Sequence, residues 1–291
     1  MKLYTKYNLS NDVDFINVEL NSDNQIWIDP MMIHMDKSEL GIECCEIIRE
    51  YFSKLLNCAL TNDDNKAYEL YKYFREMNET RLGYSQSGPR GISGGTFLGK
   101  QIFTLIKNST AVNSLLIGDI FDGCVVIEKL GIDKISDFIS SLIFEKLISY
   151  TQNQCKKYGI PMIKTKVKNK YWSQNRNKWI NEKEYLPFDE ESNLPIVFIP
   201  KKFVESKLVF SHKRFYNEAM IPYLGEDAVR NRLEGLIRIL KNNTIKPKKI
   251  AIRKKYPCKK EVVNDFIKQN NEVYKNYKKK ELKYLNYNNY K

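Results

Sequence analysis

Residues Asp119–Gly159, DIFDGCVVIEKLGIDKISDFISSLIFEKLISYTQNQCKKYG, decide how the chain is read. Cys124-Val125-Val126-Ile127 is a short apolar run with a carboxylate on each side, Asp122 and Glu128. Such a run between turn residues predicts a buried strand, about Gly123 to Glu128. Gly131 then turns the chain. Beyond it Ile135, Ile139, Leu142, Ile143, Leu147, Ile148 and Tyr150 recur at helical spacing, so a helix is predicted from about Asp133 to Lys157. Gly159-Ile160-Pro161 stops it.

A strand that delivers acids into a turn at a helix start can gather oxygen ligands for a hard cation. Asp119, Asp122, Glu128, Asp133 and Asp137 form that set, and Asp133 and Asp137, four residues apart, share one helix face. On this reading Asp133 and Asp137 hold Mg²⁺ or Mn²⁺. Asp122, Glu128, Asp133, Lys134 and Asp137 then make the catalytic set of a phosphodiester hydrolase: the metal activates water and Lys134 steadies the phosphate. The same residues also suit an ordinary strand–turn–helix unit, with Asp133 as N-cap and Asp137 favoured by the helix dipole. Both readings stay open.

Working outward, Gln25–Pro30 reads as a strand stopped by proline, with Asp29 capping the next turn. Residues 39–60 carry Ile42, Cys45, Ile48, Phe52, Leu55, Leu56 and Ala59 at helical spacing. Asn62-Asp63-Asp64-Asn65 breaks that helix and caps a second, Lys66 to Met77. Residues 83–95 hold five glycines and read as a loop before a helix, Thr96 to Lys107. Backbone N–H groups there can cradle an anion, with Arg90, Gly91, Gly94 and Gly95 as contacts, although no Walker-type GxxxxGK[ST] is present. Met162–Val167 predicts a strand with one lysine face and one core face. Tyr171-Trp172 and Trp179-Ile180 predict a hairpin, and Leu194–Pro200 a strand between prolines.

From Ser211 the character changes. Residues 211–291 carry 21 Lys/Arg against 8 Asp/Glu, a net of +13, which is the formal charge of the whole chain; the other 210 residues carry 27 of each. A field concentrated in this way attracts a polyanion. Predicted helices cover Lys213–Tyr223, Glu226–Lys241, Lys248–Lys255 and Lys260–Tyr284. Lys248, Lys249, Arg253, Lys254, Lys255, Lys259 and Lys260 are the candidate phosphate contacts. Tyr256, Tyr274, Tyr277, Tyr284 and Tyr287 are candidates to stack on bases. The competing explanation is a lysine-, asparagine- and tyrosine-rich composition that merely solvates a helix face.

Other chemistry is poorly supported. Two histidines, His34 and His212, give little basis for a histidine triad or a zinc helix, and no CxxC occurs among the six cysteines. Those cysteines read as reduced, mostly buried thiols. No apolar run reaches membrane-spanning length and no apolar signal core opens the chain, so a cytoplasmic protein is expected.

Several stretches resemble a set of uncharacterised bacterial proteins. They are Leu82-Gly83-Tyr84-Ser85 with the glycine loop, Gly131–Asp137, Tyr150–Gln152 through Tyr158–Pro161, Ile199-Pro200-Lys201, Phe215-Tyr216, and Leu240–Asn242 running into the lysines. The resemblance spans about residues 20 to 280 and implies a phage-defence or mobile-element setting. It brings no activity. Where those sequences read Thr-Thr-Asn after the Ser-Asp pair, this one has Phe138-Ile139-Ser140-Ser141. Together these readings predict an α+β protein: a mixed domain over 1–210 and a basic helical region over 211–291. The leading expectation is a defence-type protein that binds DNA or RNA, with metal-dependent cleavage. The alternatives are a non-catalytic adaptor working with partner proteins of a defence complex, and a nucleotide-responsive sensor using the glycine loop.

Overall fold

The computed structural model describes residues 1–83, 96–109, 120–127, 130–205 and 210–288, and of residues 96, 97, 121 and 284–288 the backbone alone. The fold is α+β: helices with short antiparallel strand pairs. In chain order the elements are α1 (Leu3–Lys6), β1 (Trp27–Ile28), α2 (Pro30–Met35), α3 (Glu39–Thr61), α4 (Asp64–Tyr71) and α5 (Thr96–Lys107). Next come α6 (Ile120–Val126), α7 (Ile132–Tyr158), β2 (Ile163–Lys166), β3 (Tyr171–Ser173), β4 (Lys178–Ile180), β5 (Lys183–Leu186), β6 (Phe188–Asp189), β7 (Leu194–Pro195) and β8 (Val204–Glu205). The last are α8 (His212–Phe215), α9 (Ile221–Arg230), β9 (Ile237–Ile239), β10 (Ile245–Pro247), α10 (Lys249–Lys255), α11 (Lys260–Gln269) and α12 (Asn271–Asn288). Among the described residues no helix is long and apolar enough to cross a membrane.

The chain divides into two compact units, Met1–Lys107 with Leu130–Val209, and Asn108–Lys129 with Phe210–Lys291. The sequence places residues 108–129 in the N-terminal domain; of these, Ile120–Val126 belong to the second unit.

The N-terminal unit is built on α3 and α7, whose apolar faces meet over an aromatic cluster. Tyr51 packs edge-on against Trp172 at 4.8 Å, and Phe74 lies 4.8 Å from Phe138 and 5.1 Å from Trp179. Edge-to-face packing sets ring edge against ring face and fixes the β3–β4 hairpin onto the helices. The Trp179 indole donates to the Leu70 carbonyl at 2.8 Å and the Tyr51 hydroxyl donates to the same oxygen, so both polar tips are satisfied inside the cluster. Asp29 caps α2 by accepting from the Met31 amide at 2.8 Å, and Asp63 caps α4 through the Lys66 amide at 3.0 Å. The second helix stops at Tyr71, short of the Met77 that periodicity predicts. In β2 the expected core face is absent: Ile163 is 50% exposed and the strand pairs with β5 along an open edge. Residues 196–200 are buried and extended but form no ladder beyond Leu194–Pro195.

One buried ion network locks this unit. Arg81 is 0% exposed. It donates to the Leu20 carbonyl (3.1 Å), the Asn78 carbonyl (2.7 Å) and the Ser192 hydroxyl (2.8 Å), and lies 3.7 Å from the Asp189 carboxylate. Asp189 also takes Lys6 at 3.0 Å. A guanidinium buried this fully is tolerated because each face of its fork meets an acceptor.

The C-terminal unit contains α6, so Gly123–Val126 of the predicted strand are helical. A short apolar run buried all round carries no period by which strand and helix differ. The C-terminal end of α6 is satisfied by side chains: Asn264 donates to the Val126 carbonyl at 2.8 Å and Lys260 to the Ile127 carbonyl at 2.5 Å. Helices α8 and α9 form one rod joined by a π-turn over Tyr216–Met220. Pro222 follows that turn, and its missing N–H accounts for the widened ladder. The helix predicted over Glu226–Lys241 ends at Arg230. Gly235, at φ +79°, turns the chain into the β9–β10 hairpin, with Ile239 opposite Ile245 and Arg238 opposite Lys246. The last predicted helix breaks at Asn270 into α11 and α12.

Candidate nucleic-acid interface and an acidic cluster

In the C-terminal unit the β9–β10 hairpin and α10 form a concave surface of ≈ 710 Å³. Arg238, Lys246, Lys248, Lys249 and Lys254 line it with Pro247, Ile250 and Ala251, and no carboxylate stands among these lining residues. Strand alternation places Arg238 and Lys246 opposite one another, and both are exposed. Lys249 and Lys254 come from α10, whose Ile252 is the buried anchor. Ile250 is 86% exposed, an apolar tip set among cations. Arg253, also exposed, is held in place: its guanidinium lies 5.4 Å from the Tyr216 ring and donates to Asn217 Oδ1 at 2.8 Å.

Of the seven cations chosen from sequence, Lys248, Lys249, Arg253, Lys254, Lys255 and Lys259 are exposed. Lys260 is not a free contact, because its ammonium is tied to the end of α6. Tyr274 and Tyr277 are not stacking platforms. Both are buried against Phe215, each at 5.3 Å, and burial pushes the Tyr274 hydroxyl well above its ordinary range. Tyr256 is half-buried, and the side chains of Tyr284 and Tyr287 lie outside the described residues. His212 is half-buried, and burial, then Lys260 and Lys213, lowers its pKa. Arg238 was missed because the sequence placed it inside a predicted helix.

Of the acidic set, the structure describes Asp122, Asp133 and Asp137. Asp119, Glu128 and the glycine-loop residues Arg90, Gly91, Gly94 and Gly95 lie outside the described residues. Asp122 belongs to the C-terminal unit and is a buried structural acid that accepts from the Tyr274 hydroxyl at 2.7 Å and Lys278 at 2.8 Å. Asp133 and Asp137 belong to the N-terminal unit, on the first turns of α7, with Lys134 half-buried beside them. The N-cap is Gly131, not Asp133. Asp133 accepts from the Trp27 indole at 3.4 Å.

Two acids that sequence spacing did not bring in join this pair, Asp23 and Glu76. Both stand beside Gly83, where a Cβ would lie 3.3 Å from a Glu76 oxygen and 3.4 Å from an Asp23 oxygen. Burial, then Asp23 and Asp133, pushes Glu76 up to about 7, against the opposing pull of Lys168. Burial, with Asp133, Glu76 and Asp23 beside it, holds Asp137 well above the usual carboxylate range. Like charges in one place oppose one another's ionisation, which adds to burial at both Glu76 and Asp137. Among the described residues no three His, Cys, Asp or Glu side chains are placed to hold a metal ion.

Neither the curated proteins nor the solved structures contain a match to this chain. Residues 6–211 match the model of a domain of unknown function, DUF8370, which takes in Asp23, Glu76, Asp133 and Asp137 and stops before the basic hairpin. The chain therefore belongs to the DUF8370 family.

Proposed function

We propose that this protein binds nucleic acid through the β9–β10 hairpin and α10. The observation that carries the reading is the lining of that concave surface, five cations with no acid among them. Cations on long, exposed side chains neutralise phosphates and release condensed counterions, a gain in entropy that needs no base contact. Arg253, held against Tyr216, adds a pre-oriented fork. The exposed Ile250 gives such a surface an apolar contact for a sugar or base that an all-charged patch lacks. The defence setting implied by the resemblance is one in which such a protein would meet foreign DNA or RNA.

The test is anisotropy of labelled single- and double-stranded oligonucleotides at low salt. Reversing Lys248, Lys249 and Lys254 to Glu together is expected to weaken binding by about 100-fold or more. Unchanged affinity would overturn the reading.

A second reading, phosphodiester cleavage with Mg²⁺ or Mn²⁺, rests on the clustering of Asp23, Glu76, Asp133 and Asp137. Mg²⁺ commonly takes one or two carboxylates and completes its shell with water and substrate phosphates, so two acids suffice to recruit it. Metal-dependent cleavage that Asp137→Asn abolishes is the expected result. Cleavage indifferent to that change counts against it.

A further inference from the structure

A second concave surface of the C-terminal unit, ≈ 750 Å³, lies where the π-turn and α9 face the junction of α11 and α12. One face of α12 supplies a wall: Val273, Asn276, Tyr277 and Lys280 recur at steps of three and four residues. Ala219 and Tyr223, four residues apart, belong to the facing wall. Ala219 lies in the π-turn itself, a local widening of the helix that recurs at functional sites. The break between α11 and α12 completes the groove with Asn270, whose amide donates to the Phe266 carbonyl at 3.2 Å.

Amides dominate its polar lining. Gln269, Asn271 and Asn276 are exposed and make no side-chain hydrogen bond among the described residues. Each amide head sets a donor beside an acceptor, the pattern that matches the edge of a base. The acids of the lining are engaged: Glu218 takes Arg214 at 3.0 Å and the Tyr277 hydroxyl at 3.4 Å, and Glu272 takes Lys275 at 2.8 Å. Lys280 is exposed and makes no ion pair among the described residues. Tyr223 is half-buried, its ring fixed at 5.6 Å and 73° to Phe266. A fixed ring, unpartnered amides and a cation together suit an unstacked base with its phosphate, and the volume suits one nucleotide rather than a duplex. Helix α9 joins this groove to the hairpin surface. Gly225 lies two residues from Tyr223, on the opposite side of the helix, and a Cβ there would stand 3.3 Å from Pro247, which lines that surface. One helix, about 10–12 Å across, thus separates the two surfaces.

We propose that the groove takes one unstacked base of a single-stranded polynucleotide whose backbone lies along the hairpin surface; this rests on the polyanion reading of that surface. The base lies against Tyr223, the amides of Asn270, Asn271 and Asn276 meet its edge, and Lys280 meets its phosphate. A duplex keeps its bases stacked and paired, so it contacts the hairpin surface alone. The C-terminal unit then holds single strands more tightly than duplexes at equal salt.

The test compares three labelled oligonucleotides of one length on the full chain at one salt concentration: a single strand, a duplex, and a single strand of abasic sites that keeps every phosphate. The single strand is expected to bind about tenfold more tightly than either of the others. Tyr223→Leu with Asn276→Ala should remove that preference and leave duplex affinity unchanged. Asn276→Ala alone, at an exposed position, should reduce it about threefold, which keeps the test valid if the double variant does not fold. Equal affinity for the intact and abasic strands, or variants that weaken all three ligands alike or none, would overturn the groove. Reversing Lys248, Lys249 and Lys254 to Glu should weaken all three. If that reversal changes nothing while the Tyr223 and Asn276 variants still act, the hairpin reading fails and the base site stands; no binding at the lowest salt overturns both.

Discussion

Among the described residues of the C-terminal unit the buried acids have a cation or hydroxyl on them: Asp122 takes Lys278 and Tyr274, and Glu281 takes Arg214 at 3.1 Å. In the N-terminal unit four acids, Asp23, Glu76, Asp133 and Asp137, face one another, and Glu76 and Asp137 are driven toward their protonated forms. The C-terminal residues have cations to spare, 21 against 8, so buried acids are neutralised and the surplus remains on the surface. The N-terminal unit is nearly balanced, 26 Lys/Arg against 24 Asp/Glu, and its most deeply buried cation, Arg81, meets Asp189 and backbone carbonyls. Charge balance thus sets a unit whose buried acids meet cations apart from one in which Glu76 and Asp137 are pushed toward their neutral forms.

The largest effect expected concerns the buried pair of the N-terminal unit, Arg81 and Asp189. Arg81→Met should destabilise by about 3–5 kcal/mol in urea unfolding, since Asp189 and two carbonyls lose a partner no water can replace. A loss under 1 kcal/mol would show that the network is incidental. Next is Asp122→Ala. It leaves the buried Tyr274 hydroxyl unsatisfied, and about 2–3 kcal/mol is expected, with Lys278 partly rescued by solvent.

The acidic cluster should behave in the opposite sense. Glu76 has a folded pKa above its unfolded value, so the folded state binds the extra proton and stability falls as pH rises from about 4.5 through about 7. Glu76→Gln removes that dependence. The variant should match wild type near pH 4.5 and exceed it at pH 8 by about 1–2 kcal/mol, after discounting for solvent screening of a partly exposed group. Equal pH profiles would show that the four acids are not coupled. The smallest effect is local: Asp63→Ala should cost about 1 kcal/mol by uncapping α4, with no change in binding.

Much of this arrangement was legible in the sequence. The long helices α3 and α7 declared themselves by period, and the basic surplus by count. The strand reading of Cys124–Ile127 failed because a run buried on every side has no polar face to set its phase. The hairpin was hidden because Val229, Leu233, Leu236, Ile237 and Leu240 also satisfy a helix, and only the φ of Gly235 decides. Half of the acidic cluster was visible, the i, i+4 pair. Asp23 and Glu76 arrive through tertiary folding and leave no spacing to read. Tyr274 and Tyr277 carry the composition of a stacking platform, but they lie on the face of α12 that packs against Phe215.

The central claim, that the basic hairpin surface grips a polyanion, is tested most directly by oligonucleotide affinity across a salt series. With three to five phosphates neutralised, the logarithm of the association constant should fall against the logarithm of salt with a slope of about −2 to −4. The slope should shrink when Lys248, Lys249 and Lys254 are reversed. A flat salt response, or no binding at the lowest salt, would contradict it.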